Sequence, residues 1–225
     1  MALIFLGGIG FAVWRDVYEK LVFLLSGKRG RRPALSVHSK LALATSAVLV
    51  LGGALYFFLA EYDNPATLGP FAAPGKALRS LFQSVSLRTA GFYTFPQEGL
   101  HEPSKLVSAV LMLIGGSPGG TAGGMRTVTA AVVVCSVWST LRGFDHITVF
   151  RRSLPDSTLK KSLTVIAVML FLCLASATLL SVTEFRNPYG HGISDILYEV
   201  TSAFGAGQTT GLTPHLSAPG KLVVI

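Results

Sequence analysis

Two short stretches of the sequence place glycine and small side chains where the backbone itself could bind a cation. The first loop segment runs from Pro74 to Phe95, and its second half contains Arg88, Thr89, Ala90, Gly91 and Phe92 in succession. Its first half has apolar residues at helical spacing but is far too short to span a bilayer. Glycine permits backbone angles that other residues avoid. In a channel, such backbone directs carbonyl oxygens to positions where they replace an ion's hydration shell.

The second loop segment, Ile193 to Pro214, repeats the pattern of the first. Aligning Phe82 with Tyr198 leaves no gap and matches three further pairs, which are Ser86 with Ser202, Ala90 with Ala206, and Gly91 with Gly207. A single glycine-rich stretch between apolar segments is usually an ordinary loop. Two stretches in matched positions, each preceded by a short amphipathic helix, favour pore lining, because internal repeats are common in transport proteins.

A third stretch, the glycine-rich run, interrupts an otherwise apolar segment. Its ten residues are Gly115, Gly116, Ser117, Pro118, Gly119, Gly120, Thr121, Ala122, Gly123 and Gly124. Each glycine disfavours a helix by about 1 kcal/mol relative to alanine, and proline by about 3 kcal/mol. Close helix packing through small residues is the alternative explanation. Seven helix breakers in so short a run exceed what packing requires, which predicts non-helical backbone.

The elements that must position these stretches are apolar enough to lie in lipid. Half of the 225 residues are hydrophobic and 13% are charged, whereas soluble domains carry about 25% charged residues. Four apolar segments follow one another, namely Met1 to Leu25, Leu41 to Ala60, Lys105 to Trp138 and Ser162 to Thr183. The second and fourth are uninterrupted and about one bilayer long, which predicts spanning helices. Non-helical backbone at that depth needs protein or water around it.

Basic residues lie on alternate connections between the apolar segments. One connection holds Lys28, Arg29, Arg31, Arg32 and Lys40, and another holds Arg142, Arg151, Arg152, Lys160 and Lys161. The positive-inside rule places both connections in the cytoplasm. The loop segments, with Glu61, Asp63 and Glu184 near them, are therefore expected on the outer side. Nucleic-acid binding is the rival explanation, but the runs are short and separated by spans; contact with anionic lipid is compatible with either.

Two ionisable residues within the loop segments are candidates for function, because charged side chains at membrane depth are rare and usually functional. Arg88 could brace its loop by donating to backbone carbonyls or to a carboxylate, and Glu199 is the comparable residue of the second loop segment. Side chains that reach interfacial water are the alternative for both residues.

The other reactive side chains form no recognisable catalytic or metal-binding pattern. Cys135 and Cys173 are interpreted as packing residues. The histidines are interpreted as solvent-exposed loop residues without a metal site; they are His38, His101, His146, His191 and His215. A membrane-embedded enzyme would cluster acidic, histidine or serine and lysine groups inside its bundle, and the predicted spans hold almost none. Without a phosphate-binding or dinucleotide fingerprint, no catalytic or organic cofactor-binding residue is predicted.

These motifs together resemble the Trk/Ktr/HKT superfamily of potassium transporters, in particular the C-terminal portion of its TrkH/KtrB-like membrane subunit. The resemblance rests on R-T-A-G-F at Arg88 to Phe92, I-G-G-S-P-G-G-T-A-G-G-M-R-T at Ile114 to Thr127, S-A-F-G at Ser202 to Gly205 and T-G-L-T-P at Thr210 to Pro214. It implies an all-α membrane protein. In such a protein a unit of helix M1, pore loop and helix M2 occurs four times, resembling a potassium channel with re-entrant half-helices.

The resemblance also divides the chain into parts of three repeats. Residues 1–30 correspond to the end of the second repeat, in its M2 helix. Residues 31–142 correspond to the third repeat, with M1 at 41–60, the pore loop at 74–95 and a broken M2 at 104–140. Residues 143–225 correspond to a partial fourth repeat, with M1 at 162–183 and the pore loop at 193–214. The first two pore loops and the final M2 are expected elsewhere, in a longer polypeptide.

Backbone carbonyls form the filter that the resemblance implies. They belong to Thr89, Ala90, Gly91 and Phe92 in one loop and to Gly205, Ala206, Gly207 and Gln208 in the other. Glycine at Gly91 and Gly207 is associated in this superfamily with potassium permeation, and serine with sodium preference. The second loop segment departs from the usual F-G-T-V-G-L, because it is one residue shorter and has polar Gln208 at an apolar position. The glycine-rich run is implied to form an intramembrane gate beneath the filter.

The family's partners and location are further expectations. They comprise K⁺ as the transported ion, Na⁺ as a possible coupling ion, a homodimer, the missing repeats of the same polypeptide, and a cytoplasmic nucleotide-binding regulatory subunit of TrkA/KtrA type. The expected location is a bacterial plasma membrane, crossed several times, with no nucleic-acid partner. A sodium/potassium symporter and a non-conducting or truncated relative that acts as a membrane scaffold are the alternatives.

Overall fold

Helices form nearly all of the regular structure in the computed structural model, which describes residues 1–26, 34–88, 90–120, 123–143, 148–149, 152–153, 155–185, 187, 189, 192–205 and 208–224. The α-helices are α1 (Ala2–Gly8), α2 (Phe11–Leu25), α3 (Val37–Ala60), α4 (Ala73–Ser86), α5 (Glu102–Leu113), α6 (Thr127–Leu141), α7 (Asp156–Thr183), α8 (Ile193–Gly205) and α9 (Ala218–Val224). A 3₁₀ turn spans Thr213–His215. Strands β1 (Thr148–Val149) and β2 (Arg152–Ser153) pair antiparallel. The predicted helical class is confirmed, apart from this short ladder.

Helices α3 and α7 are long and apolar enough to cross a membrane by length and composition. The side-chain oxygen of Ser36 caps α3 by accepting the backbone N–H of Ser39 at 3.1 Å, which satisfies one donor of the first turn. Helix α7 begins six residues before the predicted Ser162. Lysine is a good helix former, so the basic pair before Ser162 extends the helix instead of ending it.

The other two apolar segments are broken, as their glycines predict. Helix α5 ends at Leu113 and α6 begins at Thr127, with the glycine-rich run between them. Helices α1 and α2 are separated at Gly10, whose Cα approaches the carbonyl oxygen of Pro118 so closely that a Cβ there would lie 2.5 Å from it. The break in the opening segment therefore lies against the glycine-rich run.

The same order of elements occurs twice in the chain. A long apolar helix (α3 or α7) precedes a shorter helix (α4 or α8), an extended return and a further helix (α5 or α9). Helix α9 begins 116 residues after α5, which is also the separation of Phe82 and Tyr198 in the sequence alignment. A helix in the register of α5 therefore follows the second loop segment, past the predicted end of that segment at Pro214.

The largest buried cluster joins the two loop segments through Phe57, Leu87, Met112 and Tyr198. The outer side of α7 is apolar and exposed, as Phe171 at 70% exposure shows, whereas Cys173 and Leu180 of the same helix pack in a second buried cluster. A helix with apolar residues on its outer surface suits a lipid environment. The protein core thus lies around the loop segments, and the long helices flank it.

Candidate functional site

Each loop segment folds back through the same serine–carbonyl hydrogen bond. The hydroxyl of Ser86, at the end of α4, donates to the carbonyl oxygen of Phe92. The hydroxyl of Ser202, near the end of α8, donates to the carbonyl oxygen of Gln208. The two serines are 116 residues apart, and so are Phe92 and Gln208, which is the offset of the gapless sequence alignment. Aligned residues of the two loop segments therefore make the same hydrogen bond. Three predicted filter residues, Thr89, Ala206 and Gly207, lie outside the described residues.

Between Ser86 and Phe92 the backbone turns at Gly91, whose φ is +76°. A residue with a side chain is strained by about 1–2 kcal/mol in this left-handed region, so glycine suits the turn. The backbone N–H of Ala90 still donates to the carbonyl of Ser86 at 3.0 Å. The first loop segment thus passes from a helical turn to extended backbone within a few residues. The carbonyls of this stretch therefore do not accept the hydrogen bonds of a continuing α-helix.

Glu199 holds the return of the second loop segment. Its side chain is 2% exposed and accepts hydrogen bonds from the backbone N–H of Thr210 at 2.8 Å and from three threonine hydroxyls. Those hydroxyls, at 2.5–2.9 Å, belong to Thr209, Thr210 and Thr213. The alternative of a side chain that reaches water is wrong for this residue.

Arg88 lies at the junction of three elements. Its side chain is buried, and Nη2 donates to the carbonyl oxygen of Gly115 at 3.2 Å and to the Ser46 hydroxyl of α3 at 3.3 Å. Its Nε has no acceptor among the described residues. Arg88 therefore connects the first loop segment to the start of the glycine-rich run. Its acceptor there, the Gly115 carbonyl, is one of the two kinds of acceptor expected from the sequence, backbone carbonyls and a carboxylate.

The glycine-rich run is bonded on two sides. The backbone N–H of Ser117 donates to the carbonyl of Gly8 at 2.8 Å, and the carbonyl of Gly119 accepts from Phe11 at 3.3 Å. The N–H of Gly124 donates to the carbonyl of Phe204, at the end of α8, at 3.1 Å. Backbone from the opening segment and from the second loop segment therefore meets in this run.

Within the run, the chain is folded on itself. The N–H of Gly120 donates to the Ser117 carbonyl at 3.1 Å, and Gly116 accepts from Thr127 at 3.1 Å. A Cβ on Gly123 would lie 2.7 Å from the Phe204 carbonyl oxygen, so only glycine allows this approach. Pro118 contributes the carbonyl that faces Gly10. Thr121 and Ala122 lie outside the described residues.

Two further buried side chains, Glu61 and Glu184, were not among the predicted site residues and had been interpreted as charges on the outer connections. Both are fully buried at the C-terminal ends of α3 and α7. Glu61 accepts the backbone N–H of His101, just before α5, at 3.1 Å, and Glu184 accepts that of Ser217, just before α9, at 3.1 Å. A carboxylate is stabilised at a helix N-terminus, where backbone N–H groups lack partners.

An asparagine three residues later completes each of these contacts. Asn64 donates to Glu61 at 2.6 Å and to the carbonyl of Gly99 at 2.7 Å. Asn187 donates to Glu184 and to the carbonyl of His215. The signal in the sequence was Glu-x-x-Asn after each long apolar segment, which the two loops share.

The pKa of the Glu61 carboxyl reflects this environment. Burial raises the pKa, but hydrogen bonds from the amide of Asn64, the hydroxyl of Thr67 and the backbone N–H of His101 lower it by more than burial raises it, so that the pKa lies below its ordinary value. Glu61 follows the last residue of α3 and is therefore charged at neutral pH despite being buried.

The cysteines and histidines singled out in the sequence form no metal site among the described residues. Cys173 is buried and Cys135 half-buried. His101 has an exposed ring, as predicted, although Nδ1 lies 3.2 Å from Glu61 Oε1. His146 and His191 lie outside the described residues. Within the part of the chain that the structure describes, no group of three or more histidine, cysteine, aspartate or glutamate side chains could hold a metal ion.

Comparison with known proteins agrees with these features. A family model described as "Cation transport protein", TrkH, matches residues 1–225. The chain is 37% identical over its whole length to the potassium/sodium uptake protein NtpJ of Enterococcus hirae, covering 48% of that protein. It is 35% identical over 99% of its length to the Ktr system potassium uptake protein B of Vibrio alginolyticus, covering 47% of it.

The chain is also 36% identical, over 97% of its length, to the Ktr system potassium uptake protein B of Bacillus subtilis, and it covers 46% of that protein. The chain thus spans about half the length of the curated relatives it matches. These relatives are named as uptake proteins and not as enzymes, as the sequence analysis expected. With its full-length match and its two loop segments, the chain belongs to the TrkH family of cation transport proteins.

Proposed function

We propose that the two loop segments form two sides of a potassium-selective filter in a channel-like uptake protein. The observation that carries the proposal is the matched pair of serine–carbonyl hydrogen bonds. A filter assembled from repeats needs the same backbone shape in each repeat, with carbonyls directed at a shared axis. The matched bonds give both loop segments the same return from helix to extended backbone at one register, which supports this arrangement.

The bonds to serine narrow the choice of ion ligands. The carbonyls of Phe92 and Gln208 each accept a serine hydroxyl inside the protein, so we assign them to holding the loops in shape. The proposed ion ligands are the preceding carbonyls, which among the described residues belong to Ala90, Gly91 and Gly205. Thr89, Ala206 and Gly207 remain predicted ligands.

In this proposal the chain contributes one complete unit and parts of two others. Residues 31–142 form the complete unit of M1, re-entrant loop and M2, residues 1–30 end the preceding one, and residues 143–225 begin the next. A cation in a filter needs ligands on all sides. The other sides would come from the rest of a longer polypeptide, in keeping with relatives about twice as long.

The glycine-rich run is proposed as the gate. It is non-helical, lies within the third apolar segment, and contacts both the opening segment and the end of α8. Backbone without helical structure is tolerated at membrane depth when protein surrounds it or when it lines a water-filled path. Small residues allow such a run to change position, and Arg88 would transmit that change to the first loop segment.

Potassium is the proposed ion, because both loop segments carry glycine at the filter position and the two Ktr relatives are named for potassium uptake. A sodium-coupled or sodium/potassium symport mechanism is the second candidate, since one relative is named for potassium and sodium uptake. A bacterial plasma membrane, a homodimer and a cytoplasmic nucleotide-binding regulatory subunit belong to the same proposal. The basic connections would be the docking face for that subunit.

Replacement of Gly91 tests the filter. In a bacterium lacking its own potassium uptake, the full-length gene is expected to support rubidium uptake, and Gly91→Ala is expected to reduce it several-fold, because alanine is strained at φ +76°. Gly52→Ala is the matched control, because a Cβ on Gly52, within α3, meets no atom within 4 Å.

Equal uptake by the Gly91→Ala and Gly52→Ala proteins, at equal expression, would contradict the filter assignment. Absence of rubidium uptake by the folded wild-type protein would instead favour the scaffold alternative.

A further inference from the structure

The side chain of Gln208 joins the two loop segments. Gln208 belongs to the second loop segment and is 1% exposed. Its Nε2 lies 2.8 Å from the carbonyl oxygen of Phe92 and 3.3 Å from the Ser86 hydroxyl, both in the first loop segment. These residues are more than 110 positions apart in the sequence. A buried amide therefore joins the second loop segment directly to the backbone of the first.

The orientation of this amide follows from its partners. A carbonyl oxygen can only accept hydrogen bonds, so the group of Gln208 that faces Phe92 must be the NH₂. Gln208 Oε1 then faces the hydroxyl of Tyr198, in α8, at 2.8 Å. Tyr198 is itself fully buried, so its hydroxyl requires a partner in the protein. Tyrosine thus holds the oxygen while the nitrogen reaches across to the other loop.

The Phe92 carbonyl consequently accepts from both loop segments, from Ser86 of its own and Gln208 of the other. An oxygen with two donors on the protein side uses both of its lone pairs there. The neighbouring carbonyls of Ala90 and Gly91 follow its position through the rigid peptide planes. The Gln208 side chain therefore contributes directly to the spacing of the two proposed rows of ion ligands.

We propose that Gln208 is a positioning residue that sets ion selectivity, by preventing the two loops from closing around an ion smaller than potassium. This inference rests on the proposed function. Discrimination between K⁺ and Na⁺ depends on the number of carbonyls and on how far the cage can contract. In this chain the buried hydrogen bond from Gln208 to the Phe92 carbonyl fixes the spacing of the two loops, because a change in that spacing would break the bond.

The test uses the full-length protein in a bacterium lacking its own potassium uptake and compares rubidium uptake with sodium uptake. Gln208→Met keeps the length of the side chain and removes the donor to Phe92. The ratio of rubidium to sodium uptake is expected to fall roughly three- to tenfold, the range that corresponds to the loss of one net hydrogen bond. A change in the ratio at near-normal total uptake separates positioning from a merely structural role.

Gln97→Met is the matched control. It removes a buried glutamine of the same network, where Gln97 Oε1 accepts from Gln83 at 2.5 Å and lies 3.0 Å from the Tyr198 hydroxyl, and Nε2 donates to the Phe95 carbonyl at 2.8 Å. With Gln97 replaced, the Tyr198 hydroxyl keeps Gln208 Oε1 as its acceptor. It leaves the bond between Gln208 and Phe92 in place. The ratio is expected to stay at its wild-type value in this variant.

Two outcomes would overturn the inference. Unchanged selectivity in Gln208→Met, while the wild-type protein takes up rubidium, would dismiss the positioning role and leave the proposed function intact. An equal fall in selectivity in Gln97→Met would assign the effect to general loosening of the core. If Gln208→Met fails to fold, Gln208→Glu serves in its place, because its carboxylate can accept from Tyr198 but cannot donate to Phe92.

Discussion

Glu61 and Glu184 are buried carboxylates that each accept several hydrogen bonds from the protein. Burying an unpaired charge is costly. Each carboxylate here accepts a hydrogen bond from the backbone N–H that immediately precedes α5 or α9, and another from the side-chain amide of an asparagine. Bonds of this kind, with an ionised acceptor, are the stronger class. Each glutamate therefore ties the end of a long helix to the beginning of the helix beyond its loop segment.

The pH dependence of stability tests this role for Glu61. Because the folded pKa is below the ordinary value of 4.5, the carboxylate contributes stability that is fully present above that pH. The contribution is lost as the pH falls through the folded pKa. Glu61→Gln is expected to lower the thermal midpoint of the purified protein at neutral pH, by an amount equivalent to about 1–3 kcal/mol, and the deficit should shrink in acid.

Asp63→Asn is the control for this experiment. Asp63 lies two residues away and is exposed, so its replacement should leave the midpoint nearly unchanged at every pH. A deficit in Glu61→Gln that is the same at neutral and strongly acidic pH would show that the charge of Glu61 is irrelevant.

At the scale of elements, the glycine-rich run is a meeting point of backbones. Its N–H and carbonyl groups are bonded to α1, α2 and the end of α8, and Arg88 holds its first carbonyl. Such a run has few apolar side chains to anchor it, so its position depends on these hydrogen bonds and on close approach. Segments of this kind belong to the low-stability part of a structure, from which moving elements are drawn.

Deleting residues 119–124 is expected to raise rubidium uptake, because the deletion removes the backbone that would obstruct the pore. Gly123→Ala should change uptake in the same direction and to a smaller extent, since its Cβ would displace the run from the Phe204 carbonyl. Gly52→Ala is again the control. The gate assignment would be abandoned if the deleted protein folds, as judged by its elution as a single species, and yet transports at the wild-type rate or not at all.

At the scale of the whole molecule, polarity and charge indicate one orientation. The core lies between the loop segments, and the outer side of α7 is apolar. The ends of α3 and α7 that carry Glu61 and Glu184 are on the same side as the loop segments, because each glutamate contacts the residue that begins the helix after its loop. Lys40 and the pair Lys160 and Lys161 lie near the starts of α3 and α7, at the opposite ends of these helices. The positive-inside rule predicts that these ends face the cytoplasm.

Labelling with a membrane-impermeant maleimide tests this orientation. In a background with Cys135 and Cys173 replaced by serine, Asp63→Cys is expected to react in intact cells and Arg142→Cys only after the cells are opened. Both positions are exposed, so access alone decides the result. Reaction of Arg142→Cys in intact cells would reverse the orientation and with it the outer location of the loop segments.

The sequence by itself determined the helical class, the two long helices, the broken third segment and the correspondence of the loops. These are local properties: apolar length, glycine and proline content, and a repeated order of residue types are all present before the chain folds. The matched serine–carbonyl bonds are equally local, because Ser86 and Phe92 are only six residues apart, but they were not predicted from the sequence. The early start of α7 escaped prediction only because a basic pair was taken as a helix boundary.

Tertiary structure alone decided what the polar side chains do. Glu61 was interpreted as a charge beside an outer loop, and its burial depends on His101, which lies 40 residues later and immediately before α5. Arg88 finds its acceptor in the glycine-rich run, and Gln208 finds its own in the other loop segment. A polar side chain is exposed or buried according to whether a partner is brought to it, and no local pattern specifies a partner that distant. For the loop segments, the sequence therefore indicated where carbonyls could bind an ion. Only the folded chain showed which of these carbonyls already accept hydrogen bonds from the protein.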